Sequence, residues 1–239
     1  MKKQVSISLL IFALLITGNA FGQGFVESVG SESMQFFANK ECILKLVSGE
    51  EVHGKFSSGT FINKGFSKVT IKLENGEKVK YETEQIVSMY VKSGDLLKLS
   101  MITEAGSSIA EMAGTNFNDI VNREYVIFET ALTPKKTDTQ RLLQLLNAGF
   151  DSRIKVFDDP SAKTGGLTLG GIPVTGGEDR GYLFVKGGGK AFSVKKGSYA
   201  KDFAEIYGDC PKMMEAYKNQ KIKWDDVALH VFYYDQFCK

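Results

Sequence analysis

The sequence predicts a mainly β protein with α-helices at its carboxyl end, and three observations lead there. Apolar and polar residues alternate over residues 41–92, as they do along strands with one buried face. Glycines cluster where strands would turn. The last segment spaces Val227, Val231, Tyr234 and Cys238 four, three and four apart, on one face of a helix.

The first β unit is the most explicit. An apolar run over residues 43–47 ends at Ser48-Gly49, and Val52, Gly54 and Phe56 then alternate with His53 and Lys55. Val69, Ile71 and Leu73 alternate with lysines and Glu74, and Val79 and Tyr81 resume the pattern after Asn75-Gly76, a strong hairpin signal. Residues 86–91 add a fifth strand. Five short antiparallel strands with one apolar face must close on themselves, so residues 41–92 are expected to form a small SH3-like barrel. Leu44-x-Leu46, Ser48-Gly49-Glu50-Glu51-Val52-x-Gly54 and Ile86-Val87-Ser88 give this segment a resemblance to the Sm-like small barrels. That resemblance implies ring assembly and RNA binding.

Residues 93–121 read as a connection in which Leu96, Leu97, Leu99 and Met101 extend the last strand and one weak helix follows, carrying Ile109, Met112, Phe117 and Ile120. A second antiparallel unit with glycine-rich loops is expected over residues 122–198. Its strands lie near 125–132 and 154–157, with a hairpin of 182–186 and 191–195 turned by Gly187, Gly188 and Gly189. Residues 140–148 fit either a helix or a buried strand.

The tail, residues 199–239, reads as a helical hairpin. Phe203, Ile206 and Tyr207 form one short stripe, and Pro211 suits the first turn of the next helix, capped by Asp209 or Cys210. Cys210 would open one helix and Cys238 close the other, so an antiparallel pairing turned near Asn219 predicts a Cys210–Cys238 disulfide, leaving Cys42 reduced and buried. Cys-x-x-Cys spacing, which redox sites use, does not occur.

At the amino end, Lys2 and Lys3, the apolar stretch of residues 5–16 and the small-residue exit at Ala20 and Gly22 have the layout of an export signal, residues 1–22, cut before Gln23. Residues 23–40 follow as a leader. The apolar stretch is too short for a transmembrane anchor, so the chain is expected in the periplasm or outside the cell, where disulfides form. Losing Lys2 and Lys3 takes the formal charge from +2 to neutrality, which offers no long-range attraction to nucleic acid and speaks against RNA as a partner.

Candidate chemistry is sparse. The two histidines, His53 and His230, read as a solvated strand residue and a helix-flank hydrogen-bonding residue. Neither they nor the cysteines suggest a zinc or iron site, and no cofactor is expected. No Gly-x-Ser-x-Gly elbow marks a serine hydrolase. The carboxylate pairs Asp158-Asp159, Glu178-Asp179 and Asp225-Asp226 read first as turn or cap residues and only second as an acid/base dyad. The glycine series of residues 165–177 reads as turns or a surface loop, with no Gly-Lys-Ser or Gly-Lys-Thr to mark a phosphate cradle.

Recognition, if the chain has it, is expected on that loop at Gly176, Gly177, Glu178 and Asp179, and on the aromatic tail at Trp224, Tyr233 and Phe237. Gly208-Asp209-Cys210-Pro211, Lys223-Trp224-Asp225-Asp226 and His230-Val231-Phe232-Tyr233-Tyr234, closing on Cys238, resemble the carboxyl-terminal end of uncharacterised secreted proteins from Gram-negative bacteria. The function expected is therefore that of an exported, non-enzymatic protein binding an envelope protein or a glycan. An exported carboxylate-dependent, glycosidase-like hydrolase is the alternative, and an assembly subunit pairing through barrel edges a third.

Overall fold

The computed structural model describes residues 24–26, 28–29, 31–62, 64–105, 123–134, 139–160, 167–169, 172–175 and 181–238. The export signal, the helix expected around Ile109–Val121 and most of the glycine series lie outside the described residues. Within them the chain is mainly β, with a barrel first and helices last, as expected.

Strands β1 (Glu41–Leu46), β2 (Glu51–Ile62), β3 (Gly65–Lys72), β4 (Lys78–Glu82) and β5 (Ile86–Lys92) follow the alternation read above. Of their inward positions, Cys42, Leu44, Phe56, Val69, Ile71, Met89 and Val91 are at most 3% exposed. In the β3–β4 turn Gly76 holds φ at +89°, where a side chain would be strained, and the Glu77 amide donates to Asn75 Oδ1 at 2.9 Å.

Two further strands belong to this barrel rather than to the second unit, where they were expected. The sheet order is β2-β1-β5-β6-β7-β3-β4, with β6 at Tyr125–Thr133 and β7 at Thr139–Gln144, and a β2–β3 pairing closes a six-stranded barrel with β4 beside β3. The physical reason is the edge left open by five strands. β4 covers β3 only from Lys68 to Lys72, and the β6–β7 hairpin fills the remaining gap by pairing β6 with β5 and Leu142 and Leu143 of β7 with Phe66 and Gly65. A 3-10 turn at Ser31–Phe37 brings Phe37, fully buried, against the rings of Phe56 and Phe128.

Leu96, Leu97, Leu99 and Met101 do not prolong β5. They lie in helix α1 (Asp95–Ala105), which starts after Ser93-Gly94 with an acidic residue in its first turn. Leu97 is fully buried, while Leu96 and Leu99 are exposed.

The stretch 140–148 that fitted either helix or strand is a strand as far as Gln144 and then turns, and the ambiguity has a cause. Leu142 enters the barrel core, Leu143 and Leu145 a small cluster behind it, and Leu146 the core of the second unit, so both faces are covered and no period shows. Beyond β7 the chain changes partners: the Leu145 amide donates to Ile127 of β6 at 2.9 Å, and the Leu146 amide to Val156, in the next strand, at 2.8 Å.

The second unit is a three-stranded antiparallel sheet ordered β12-β11-β8, with β8 at Ile154–Asp158, β11 at Gly181–Lys186 and β12 at Phe192–Lys195. A separate hairpin joins β9 (Leu167–Leu169) and β10 (Ile172–Thr175). The expected glycine-turned hairpin of β11 and β12 forms, with Phe184 facing Phe192. Helices α2 (Tyr199–Tyr207), α3 (Pro211–Tyr217) and α4 (Val227–Phe237) share one core with this sheet. Cys210 caps α3, its Sγ accepting from the Met213 amide, and bonds to Cys238 with the Cα atoms 5.4 Å apart. The amino-terminal segment serves both cores: Val26 and Val29 pack into the barrel, Phe25 against Phe150 and Tyr182.

Candidate binding pocket between barrel and sheet

Where β6 and β7 of the barrel face β8 and β11 of the second sheet, a pocket of about 420 Å³ opens. Its floor is apolar: Ala131 and Phe157 are buried and pack with Leu143, Leu145 and Leu183. Its wall is charged. Lys155 Nζ on β8 donates to both oxygens of Glu129 on β6, at 2.8 and 2.6 Å, tying the two units together. Asp151, Ser152 and Arg153 line the rim, opposite the Gly187–Gly188–Gly189 turn. Asp235 of α4 positions that rim: its Oδ1 accepts from Ser152 Oγ at 2.7 Å and from the Arg153 amide at 3.2 Å. The Gly187 amide donates to the Arg153 carbonyl at 3.1 Å and joins the two loops.

Burial pushes the Asp151 carboxyl above the ordinary range, with Glu129 and Asp235 adding repulsion and Lys155 opposing them. The pocket thus presents carboxylates and cations side by side over an apolar floor, an arrangement that holds a polar ligand or a partner's side chain by paired hydrogen bonds.

The other titratable cluster is internal. His230 of α4 is 1% exposed, Nδ1 lies 2.8 Å from Tyr199 Oη, and the rings of Phe203, Tyr207 and Tyr217 surround it. Burial drives its pKa down to about 4 and pushes the Tyr217 phenol up to about 12. Nearby, Asp209 accepts from Lys186 at 2.7 Å and Tyr234 at 2.6 Å; burial alone would raise its carboxyl, and these bonds hold it below the usual range. The His230 group joins α2, α3 and α4 to one another, and the Asp209 group ties α4 to β11.

The residues singled out in the sequence fall in different places. Gly176, Gly177, Glu178 and Asp179 lie outside the described residues. Trp224 is half-buried, stacked on Tyr182 with centroids 5.3 Å apart, so its ring covers the second sheet. Tyr233 packs on Phe237 at 4.7 Å and on Tyr217 at 5.8 Å, and Phe237 is 42% exposed. None of these three lines the seam pocket. Asp159 is buried and accepts from Ser193 Oγ, Asp158 pairs with Lys64, and Asp225 and Asp226 sit in the 3-10 turn before α4, so the described pairs are structural. His53 is exposed beside Glu51. Among the described residues, no cluster of His, Cys, Asp or Glu could hold a metal ion.

Sequence reasoning placed strands at Glu129 and Lys155 but missed the pocket. Its walls come from segments far apart in the chain, Glu129 and Lys155 being 26 residues apart and the glycine turn further still, and single alternating positions carry no sign of what they face.

Comparison with family models, curated proteins and solved structures gives no significant match. The disulfide, and the lack among the described residues of a helix long and apolar enough to cross a membrane, are compatible with the extracytoplasmic location expected.

Proposed function

We propose that this chain is an exported, non-enzymatic protein of the cell envelope or exterior that binds a protein or glycan partner. The observation that carries the reading is the seam pocket, where both β units contribute charged and hydrogen-bonding groups over an apolar floor. Its rim is held by α4, the helix that also displays Tyr233 and Phe237, so one partner would touch both. Photo-crosslinking groups placed at Arg153 and at Phe237 in cells test this. One envelope partner captured from both positions supports the reading; a chain that stays uncrosslinked at both overturns it.

One observation favours the hydrolase instead: Asp151, its acidity weakened by burial, shares the pocket with Glu129. Against it, both Glu129 oxygens are engaged by Lys155. Glycan cleavage that disappears in Asp151→Asn would establish that alternative.

A further inference from the structure

The outer face of the barrel carries lysines where antiparallel pairing disfavours them. Lys55 on β2 stands directly opposite Lys72 on β3, and Lys72 directly opposite Lys78 on β4, all three exposed. Like charges facing across strands work against the pairing, and opposite charges would support it. Four nearby carboxylates are engaged elsewhere. Glu41, the cross-strand partner of Lys55, accepts instead from Lys92 at 3.2 Å and from Tyr125 at 2.8 Å on its other side. Glu82 pairs with Lys80, Glu51 with His53, and Glu77 accepts from Asn75. Among the described residues no ion pair reaches Lys55, Lys72 or Lys78.

We propose that the Lys55–Lys72–Lys78 row is a docking surface for a linear acidic polysaccharide bearing carboxylates along its length. Adjacent strands lie about 4.8 Å apart, so the three lysines leave the sheet along a line of roughly 10 Å across three strands. Ser58, Thr70 and Thr60 occupy the next positions on the same face, Ser58 opposite Thr70 and Thr60 opposite Lys68, and offer hydroxyls to sugar hydroxyls. The outward positions of these three strands hold no Phe, Tyr or Trp on which a base would stack, which disfavours single-stranded nucleic acid. The row crosses β2 and β3 of the closed barrel and continues onto β4 beside it. Because the charge is local on a chain neutral without its signal, the attraction is short-ranged and screened within about 10 Å at ordinary salt.

This surface narrows the glycan half of the binding reading to acidic polymers and lies away from the seam, so its failure leaves the seam crosslinking result standing. The test is binding of the purified, disulfide-bonded chain to polygalacturonate at low and high salt, with neutral dextran, phosphatidylglycerol vesicles and single-stranded DNA as competitors. Polygalacturonate is expected to bind, to be released by salt and to resist the competitors. The triple variant Lys55→Gln/Lys72→Gln/Lys78→Gln is expected to lose about tenfold or more in affinity while melting no lower than the unaltered chain. Lys196→Gln/Lys201→Gln/Lys212→Gln should bind as the unaltered chain does. No binding, an equal loss in both triple variants, or preference for vesicles or DNA overturns the proposal, and the single change Lys72→Gln decides the matter if the triple variant does not fold.

Discussion

Asn147 Oδ1 accepts the Val156 amide proton at 2.8 Å, and through this bond a side chain continues the strand ladder where the barrel ends and the second sheet begins. The same side chain donates from Nδ2 to the carbonyls of Phe150 and Ile154, at 2.9 and 2.7 Å. At 1% exposure Asn147 leaves no room for water to replace it. It closes the loop before β8 and with it the base of the pocket rim.

Asn147→Ala should therefore cost about 3 kcal/mol, since a buried amide and two carbonyls lose their partner together. Urea unfolding of the two proteins measures it. A loss under about 1 kcal/mol would mean that the seam is held by apolar packing alone.

His230 makes stability depend on pH in a defined window. Its folded pKa of about 4 lies below the ordinary 6.5, so between these values the unfolded chain binds a proton that the folded chain refuses. Stability is complete above 6.5 and declines as pH falls toward 4, by about 3 kcal/mol in all. Unfolding titrations across the window should show the decline, and His230→Leu should remove this component of the slope.

Reducing the Cys210–Cys238 bond frees a loop with a sequence separation of 28 and should lower stability by about 3–4 kcal/mol in the chain-entropy model. Cys42 provides an internal control. Burial pushes its thiol up to about 12, so a thiol reagent should label nothing in the oxidised native chain and one cysteine after unfolding.

Phe237→Ser should leave stability within about 0.5 kcal/mol, because the ring is already exposed. Val231→Ala, on the buried face of the same helix, should cost about 2 kcal/mol. Thermal melts of the pair separate the two faces of α4, and a similar loss for both would show that Phe237 is part of the core.

Several features were legible without any structure, because the signals that set them are local. Alternation placed β1 to β5, Asn75-Gly76 placed a turn, three glycines placed another, and the α4 stripe put Cys238 on the buried side opposite Cys210. Each depends on neighbours within a few positions, where backbone geometry decides which residues share a face. What closes the barrel was not legible. β6 and β7 join it because β3 has an unfilled edge beside Gly65 and Phe66, a fact about strands more than 70 residues away in the chain that no local pattern reports. Leu142 to Leu146 hid their strand because three cores cover them, and Leu96 to Met101 suggested a strand because apolar content was read without its partners. The charge relationships behind both proposed surfaces are of the same kind. Lys155 meets Glu129 only when the second sheet docks on the barrel, and Lys55, Lys72 and Lys78 become a row only when three strands take one register, since a side chain's electrostatic surroundings are set by whatever the fold brings across from it.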